Sequence, residues 1–522
     1  MKKSLLIVAV LLTIAPIYLS AKESKRKEMS PAVLTVLIPH NLTIQKIELY
    51  YYQNILFKNT ASNKPWKILS KEIAKGQNYQ SFKIPIDRNP GYISIVLNER
   101  KNNNGSTLSL LDAYLIETGD SIEITIDTCL TYQVTTKIND DYLQYIYNNT
   151  GYTLSFSGKG SQKFECRYIA DRNSALIKAP QFAFNSNGEY NSDNISIRAL
   201  SHSLEILERY KRNISPMAYE ILKADFIGAY KYRTWIRLWR DFQRTDTQNY
   251  LKVLQHELRY DTACNASGTA LAISRTYANF IFMALFTYYS RSGQIGKMSD
   301  MYQIFKQRYG GIFRDRILTS FLIGNVGRLD RLDSLLKDAV NTIETDFYKK
   351  EILQAQEFLG RGKAAYNFSL PNEEGVFVSL SDYFGKVVFI DFWFTGCKPC
   401  KAFYQENLSK IEEEFKTDSN VVFITISVDR DRAKWIESVK SESYTSPRVI
   451  NLYTGGMATS HPVIEAYKVS GYPRPILIDR TGKIYASSGR NLRNKEGIRT
   501  AILQALRNEN SANPHGWGSR PE

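Results

Sequence analysis

Two cysteines three residues apart, Cys397 and Cys400 in the run Asp391-Phe392-Trp393-Phe394-Thr395-Gly396-Cys397-Lys398-Pro399-Cys400, are the residues of this chain best suited to chemistry. The reaction such a pair implies is thiol–disulfide exchange, in which one thiolate attacks a target disulfide and the other thiol resolves the mixed intermediate. Position decides which sulfur does which. The stretch Lys386-Val-Val-Phe-Ile-Asp-Phe-Trp reads as a buried strand, Gly396 breaks it, and helical spacing follows. Cys397 therefore falls at the first turn of a helix, where unpaired backbone N–H groups and the positive end of the dipole favour an anion. Lys398 adds a cation there, and Pro399 costs no hydrogen bond in a first turn. Cys397 is the expected attacking thiolate, lowered from ~8.5 to roughly 7 or below in such a motif. Cys400, one turn further in, is the expected resolving thiol.

Stepping outward, the elements around the pair follow a recurrent order. Asp391-Phe-Trp stands six positions before the first Cys of a Cys-x-Pro-Cys motif. Phe368-Ser-Leu-Pro and Gly375-Val-Phe-Val-Ser-Leu-Ser-Asp-Tyr-Phe-Gly-Lys lead into that strand. Downstream, Gly471-Tyr472-Pro473-Arg474-Pro475-Ile-Leu-Ile-Asp479 is followed by the turn Thr481-Gly482-Lys483. In these motifs the chain resembles the thioredoxin superfamily, and its TlpA/ResA-like envelope branch in particular, over residues 366–508, little more than a quarter of its length.

The resemblance implies an α/β thioredoxin-like domain with Cys397 and Cys400 as catalytic residues. It also implies a cis peptide at Pro473, with the backbone beside Tyr472 and Pro473 aligning a substrate chain and Trp393 packing beside the site to limit access. Trp393 also reads as an ordinary core aromatic. Asp391 matches the buried acid of thioredoxins and would manage the proton of Cys400, since burial raises a carboxylate's pKa and lets it take or give a proton near neutrality. Its alternative is a solvated residue at a strand end. Two positions depart from the branch: Phe403 stands where a Glu is common and Gln405 where a helix-kinking Pro is common. A structural zinc site would need a second ligand pair, and Cys129, Cys166, Cys264 and the scattered histidines do not supply one. No metal and no cofactor are expected.

The remainder reads as delivery and scaffolding. Lys2 and Lys3, an apolar run and Ser20-Ala21 form a secretory signal over residues 1–21; Pro16 inside the run and its shortness for a spanning helix favour cleavage, with an uncleaved membrane anchor as the alternative. With the resemblance, this places the protein in the periplasm or cell envelope. Residues 30–160 alternate as half-buried strands, for example Ala32–Ile38, Ile93–Leu97 and Ser121–Ile126, and predict a β-sandwich-like domain. The stretch Leu115 to Ile122 resembles the Gly-Asp turn of β-rich domains placed ahead of envelope thioredoxin domains. Residues 165–360 carry helical periods, including Ile195–Arg209 and Thr269–Tyr289, and predict an α-helical middle domain. Gly360-Arg-Gly-Lys-Ala-Ala reads as a linker, Arg432–Val439, His461–Val469 and Ile498–Leu506 as helices, and residues 509–522 as a disordered tail. Cys129 and Cys166 flank a domain junction and either pair or are core residues, like Cys264. The fold class is thus multidomain.

A net charge of +16 favours acidic partners or peripheral association with an anionic envelope surface. Tyr232, Trp235 and Trp239, interleaved with Lys231, Arg233, Arg237 and Arg240, suggest a helix core stripe with solvated faces rather than a nucleic-acid surface. The leading expectation is a periplasmic enzyme that reduces protein disulfides and is recharged by an upstream thiol electron donor. The alternative is an envelope binding or scaffold protein whose thioredoxin-like domain senses redox state. A peroxidase reading of Thr395-Gly-Cys397 fails because the spacing is one residue short.

Overall fold

The computed structural model describes residues 30–39, 42, 44–53, 56, 65–74, 76–86, 90–99, 107–128, 152–175, 183–190, 195–244, 246–260, 264–487 and 489–507. The expected signal (1–21), Cys129 and the expected tail (509–522) lie outside the described residues.

The N-terminal region is β-rich. Strands β1 (Ala32–Leu37), β2 (Ile44–Tyr52), β3 (Lys67–Glu72), β4 (Tyr79–Ile84), β5 (Gly91–Glu99), β6 (Thr107–Ile116), β7 (Ser121–Thr128) and β8 (Tyr152–Lys159) form two four-stranded sheets, ordered β4-β1-β7-β8 and β3-β2-β5-β6. Strict alternation in β1 sends Ala32, Leu34 and Val36 inward, where they share one core with Ile47, Leu49, Ile93 and Ile95 of the other sheet. The Gly119-Asp120 turn is tied down: Asp120 accepts from the Glu117 amide at 2.7 Å and from Lys163 Nζ at 2.8 Å.

Lys163 begins the helical region, in α1 (Ser161–Ala175), followed by α2 (Ile195–Tyr210), α3 (Pro216–Arg240), α4 (Thr247–Tyr260), α5 (Gly268–Ile273), α6 (Tyr277–Arg291), α7 (Met301–Arg308), α8 (Gly311–Asn325), α9 (Leu332–Thr342) and α10 (Asp346–Leu359). Ser215 caps α3 by accepting from the Ala218 amide at 3.0 Å, with Pro216 in the first turn. Trp235 is fully buried, while Tyr232 and Trp239 are half-buried, with Arg291 3.7 Å from the Trp239 ring, so the stripe packs inward at Trp235 and is partly covered at its ends. The single helix expected over Thr269–Tyr289 is interrupted at Ser274-Arg275-Thr276. Asp225 of α3 is the cause: buried without exposure to water, it accepts from Ser274 Oγ at 2.8 Å, Tyr92 Oη at 2.8 Å and the Thr276 amide at 3.3 Å. These partners are worth more to a buried carboxylate than one more helical turn. Beside it, Gly228 lets α3 approach α6, because a Cβ there would meet Thr276 Oγ1 and the Tyr277 amide at 2.6 Å. Gly228→Ala is expected to cost about 1–3 kcal/mol by overpacking, read as a lower urea midpoint.

The C-terminal region holds the hairpin β9 (Ser369–Pro371) and β10 (Phe377–Ser379) and a five-stranded sheet ordered β13-β12-β11-β14-β15. Its strands are β11 (Val387–Trp393), β12 (Val421–Ser427), β13 (Ile450–Tyr453), β14 (Arg474–Ile478) and β15 (Ile484–Ala486). The first three are mutually parallel, β14 runs antiparallel to β11, and β15 runs antiparallel to β14. Alternate residues of β11 split between two cores. Val387 and Phe389 meet α11 (Lys398–Phe403), α12 (Ser409–Glu414) and α15 (Lys495–Arg507). Val388, Ile390 and Phe392 join one core with Leu336, Ile352 and Leu359 of the helical region. Between α12 and α15, α13 (Arg432–Lys440) matches its expected span, whereas α14 (Pro462–Ala466) ends three residues before the expected Val469. The linker is not loose. Gly362 and Ala365 donate to Ile484 and Gly482 carbonyls at 2.8 and 2.9 Å, because the edge of β15 offers backbone groups that must be paired.

Candidate active site

Strand β11 is buried along its length and delivers the chain to a turn at 394–396. Two groups from elsewhere hold that turn. Asp429, just past β12, accepts from the Thr395 amide at 3.0 Å and Thr395 Oγ1 at 2.8 Å, while Ser427 Oγ donates to it at 2.7 Å. Tyr444 accepts from the Gly396 amide at 3.0 Å and stacks on Trp393 with centroids 5.0 Å apart. Gly396 sits at φ +93°, which a side chain would strain. Held this way, Cys397 becomes the N-cap of α11, its Sγ accepting from the Cys400 amide at 3.2 Å. The two cysteines are disulfide-bonded with Cα atoms 5.3 Å apart. Cys397 is 3% exposed and Cys400 1%, between exposed neighbours Phe394, Gly396, Lys398 and Pro399.

The facing wall is the loop before β14. The Tyr472–Pro473 peptide is cis, Pro473 is buried, and Tyr472 meets Phe394 edge-on at 5.3 Å. Trp393, expected to limit access, has no exposed surface; it backs the turn, and the exposed aromatic is Phe394 at 37%. The helical region holds the loop. Ser470 Oγ donates to the Ile323 carbonyl at 3.1 Å, and Lys468 Nζ pairs with Glu351 at 2.9 Å. Arg493 Nη2 donates to the Pro473 carbonyl at 2.9 Å.

Asp391 is not solvated. It is 1% exposed and lies on the face of β11 that carries Val387 and Phe389 toward α11, accepting from the Arg474 amide at 3.1 Å. Burial pushes its carboxyl up to about 7, opposed by the Arg474 amide and the Arg493 charge. A second carboxylate escaped the sequence reading. Glu412 of α12 is 8% exposed and also pushed up by burial, to about 8. Its signal was a Glu on the stripe of Leu408, Ile411 and Phe415. Where the branch has a kinking Pro, a π-helical turn spans Tyr404–Leu408. Among the described residues Cys166 is a buried free thiol and Cys264 a half-buried one. Among the described residues no three His, Cys, Asp or Glu side chains are grouped to hold a metal ion, and no helix is long and apolar enough to cross a membrane.

A parallel strand core with a Cys-x-x-Cys at the start of a helix, a buried acid on the strand that leads to it and a cis-proline in the loop opposite defines a thioredoxin-like protein. A thioredoxin-like family model matches residues 385–484. The thiol-disulfide oxidoreductase ResA of Bacillus subtilis (strain 168) is 30% identical over 133 residues, 26% of this chain and 69% of ResA. ResA of Bacillus cereus (strain ATCC 10987 / NRS 248) is 30% identical over 151 residues, 29% of this chain and 79% of its own. Among solved structures, the thioredoxin domain of a thiol-disulfide oxidoreductase from Bacteroides vulgatus is 30% identical, spanning 28% of this chain and 99% of that one, with a TM-score of 0.25. The chain belongs, through its C-terminal region, to the thioredoxin-like thiol-disulfide oxidoreductases that include ResA, and it is an oxidoreductase.

Proposed function

We propose that the protein reduces disulfides of other proteins in the periplasm or cell envelope, through Cys397 and Cys400. The observation that carries this reading is the Cys397–Cys400 disulfide at the head of α11, with Asp391 sealed behind it and Pro473 facing it. In the reduced enzyme the Cys397 thiolate attacks one sulfur of the target disulfide, and the other sulfur leaves as a thiolate that takes up a proton. Cys400 then gives its proton to the Asp391 carboxylate and attacks Cys397 Sγ, which releases the second target thiolate and forms the Cys397–Cys400 bond. The target gains two electrons and the enzyme loses two, to be restored by an upstream thiol donor. The backbone beside Tyr472 and Pro473 aligns the target chain, and Phe394 offers it an exposed aromatic face. Export rests on the basic and apolar leader of residues 1–21 together with the family. We further assign residues 30–160 and 165–360 to separate domains that present the redox domain to its partner.

A second reading, a scaffold whose redox centre senses or locks a bound partner, is favoured by one feature: the loop carrying Pro473 is held by α8 and α10 through Ser470 and Lys468. One experiment addresses both. Full-length Cys400→Ala, reduced and then mixed with envelope extract, is expected to accumulate mixed disulfides with several proteins, because Cys397 attacks and nothing resolves. Recovery of a single stoichiometric partner would support the scaffold. No adduct in a preparation whose Cys397 alkylates normally would end the reductase reading.

A further inference from the structure

The loop that faces Cys397 is anchored to the helical region on both sides of Pro473. On the N-terminal side, Lys468 Nζ lies 2.9 Å from Glu351 Oε2 and 3.3 Å from Gln354 Oε1, both on α10. The Lys468 side chain is 7% exposed and that of Glu351 22%, so solvent screens the pair little. Lys468 also takes φ +44°, a left-handed backbone that a residue with a side chain keeps only where its surroundings hold it. Two residues on, Ser470 Oγ donates to the carbonyls of Ile323 and Gly324 at 3.1 and 3.2 Å, in the last turn of α8. Carbonyls in a last helical turn lack partners within the helix, and the Ser470 hydroxyl supplies one. On the C-terminal side, Arg474 donates to the Ser487 carbonyl, and Ser487 Oγ donates at 2.7 Å to the Leu359 carbonyl at the end of α10. Gly327, just past α8, packs against the same arginine: a Cβ there would lie 3.2 Å from Arg474 Nη1 and from Arg493 Nη2. Between Ser470 and Arg474 stand only Gly471, Tyr472 and Pro473.

We propose that Lys468 and Ser470 are positioning residues through which α8 and α10 set the affinity of the site for protein disulfides, and leave small disulfides indifferent to them. This rests on the reductase reading above and adds to it the part of the molecule that fixes substrate choice. A protein chain carrying a disulfide is held by main-chain hydrogen bonds to the backbone beside Tyr472 and Pro473, a mode in which an extended segment lies along a receiving backbone. A receiving loop that was free to move would have to be ordered on binding, and that entropy is subtracted from the affinity. Fastening the loop beforehand to two helices removes the loss. A small aromatic disulfide asks only for access to Cys397 Sγ. The turn at 394–396 that places this sulfur is held by Asp429 and Tyr444, groups separate from Lys468 and Ser470. Release of the loop from the helices therefore acts on one class of substrate and spares the other.

The test uses the full-length protein and two substrates. Initial rates of insulin reduction with dithiothreitol, corrected for dithiothreitol alone, give KM and kcat for a protein disulfide. Reduced enzyme, freed of dithiothreitol and mixed with an aromatic disulfide that releases a coloured thiolate, gives the rate of attack by Cys397. In Lys468→Met the KM for insulin is expected to rise about tenfold with kcat within about twofold of the parent, the pattern of lost binding and not of lost chemistry. Attack on the aromatic disulfide is expected to keep the parent's rate. Lys468→Arg, which retains the cation beside Glu351, should keep the parent's KM. An unchanged KM in Lys468→Met would overturn the proposal and leave the reductase reading intact. An equal loss on both substrates would reduce the anchors to general stability and overturn it as well. A parent that attacks the aromatic disulfide but reduces no insulin would end the reductase reading, and this proposal with it. Where Lys468→Met does not fold, Ser470→Ala, which removes one hydroxyl, decides by the same comparison.

Discussion

Cys397→Ser is expected to lower insulin reduction to the rate of dithiothreitol alone, a loss of all enzymatic turnover. The physical reason is that thiolate, not thiol, is the nucleophile, and a serine hydroxyl at the same N-cap reaches no comparable ionised fraction. The substitution keeps the local structure, because Ser accepts the Cys400 amide hydrogen bond as readily as sulfur does. Cys400→Ala should differ: one attack per molecule still occurs, then the enzyme stalls as a mixed disulfide. Equal turnover for Cys397→Ser and parent would remove exchange chemistry at this site. A variant that loses turnover while its far-ultraviolet spectrum and melting temperature stay near those of the reduced parent, which likewise lacks the Cys397–Cys400 bond, isolates the sulfur as the cause.

The second large effect couples function to stability. Asp391 is raised from 3.8 to about 7 in the folded protein by burial. A rise of roughly 3 pH units is worth up to about 4 kcal/mol, since each unit is 1.36 kcal/mol. The sign follows from proton counting. Below the unfolded value both states hold the proton, and the group contributes nothing to pH dependence. Between about 4 and about 7 the unfolded chain has released it and the folded chain has not, so stability declines as pH rises. Above the folded value the full cost is present. Asn cannot ionise and can still accept from the Arg474 amide. Asp391→Asn is therefore expected to melt well above the parent at about pH 8 and close to it at about pH 4. The same change should slow resolution by ~10²-fold or more, the contribution of a positioned base. Under the proposed mechanism that loss of stability at neutral pH is the cost of a proton acceptor for Cys400. Identical melting curves for parent and variant at about pH 8 would show Asp391 to be an ordinary surface-like acid.

Much of the C-terminal region was legible because its central strands are buried on both faces and read as mostly apolar runs, Val387–Trp393 interrupted at Asp391 and Val421–Ser427 interrupted at Thr425 and ended by Ser427. The alternation of β1 and β7 was legible for the opposite reason, that one face of each sheet is wet. The break between α5 and α6 was not legible. Nothing local in Ser274-Arg275-Thr276 stops a helix; a carboxylate 49 residues away in sequence does, by offering those residues better partners. Glu412 was visible as an acid on an apolar stripe, yet only the loop around Ser446 decides that the stripe closes over it. The grip of Asp429 on Thr395 depends on β11 and β12 lying side by side.

The proline that faces the sulfurs was read from the resemblance, while the sequence by itself determined the pair of sulfurs, their place at a helix start and the strand that leads to them. These depend on interactions within a few residues, where spacing and residue type are enough. Tertiary structure alone decided which acids are sealed from water, which aromatic stays exposed, and that the helical region holds the Pro473 loop. Those are matters of desolvation and of contacts between residues distant along the chain, and neither is encoded in any single stretch of it.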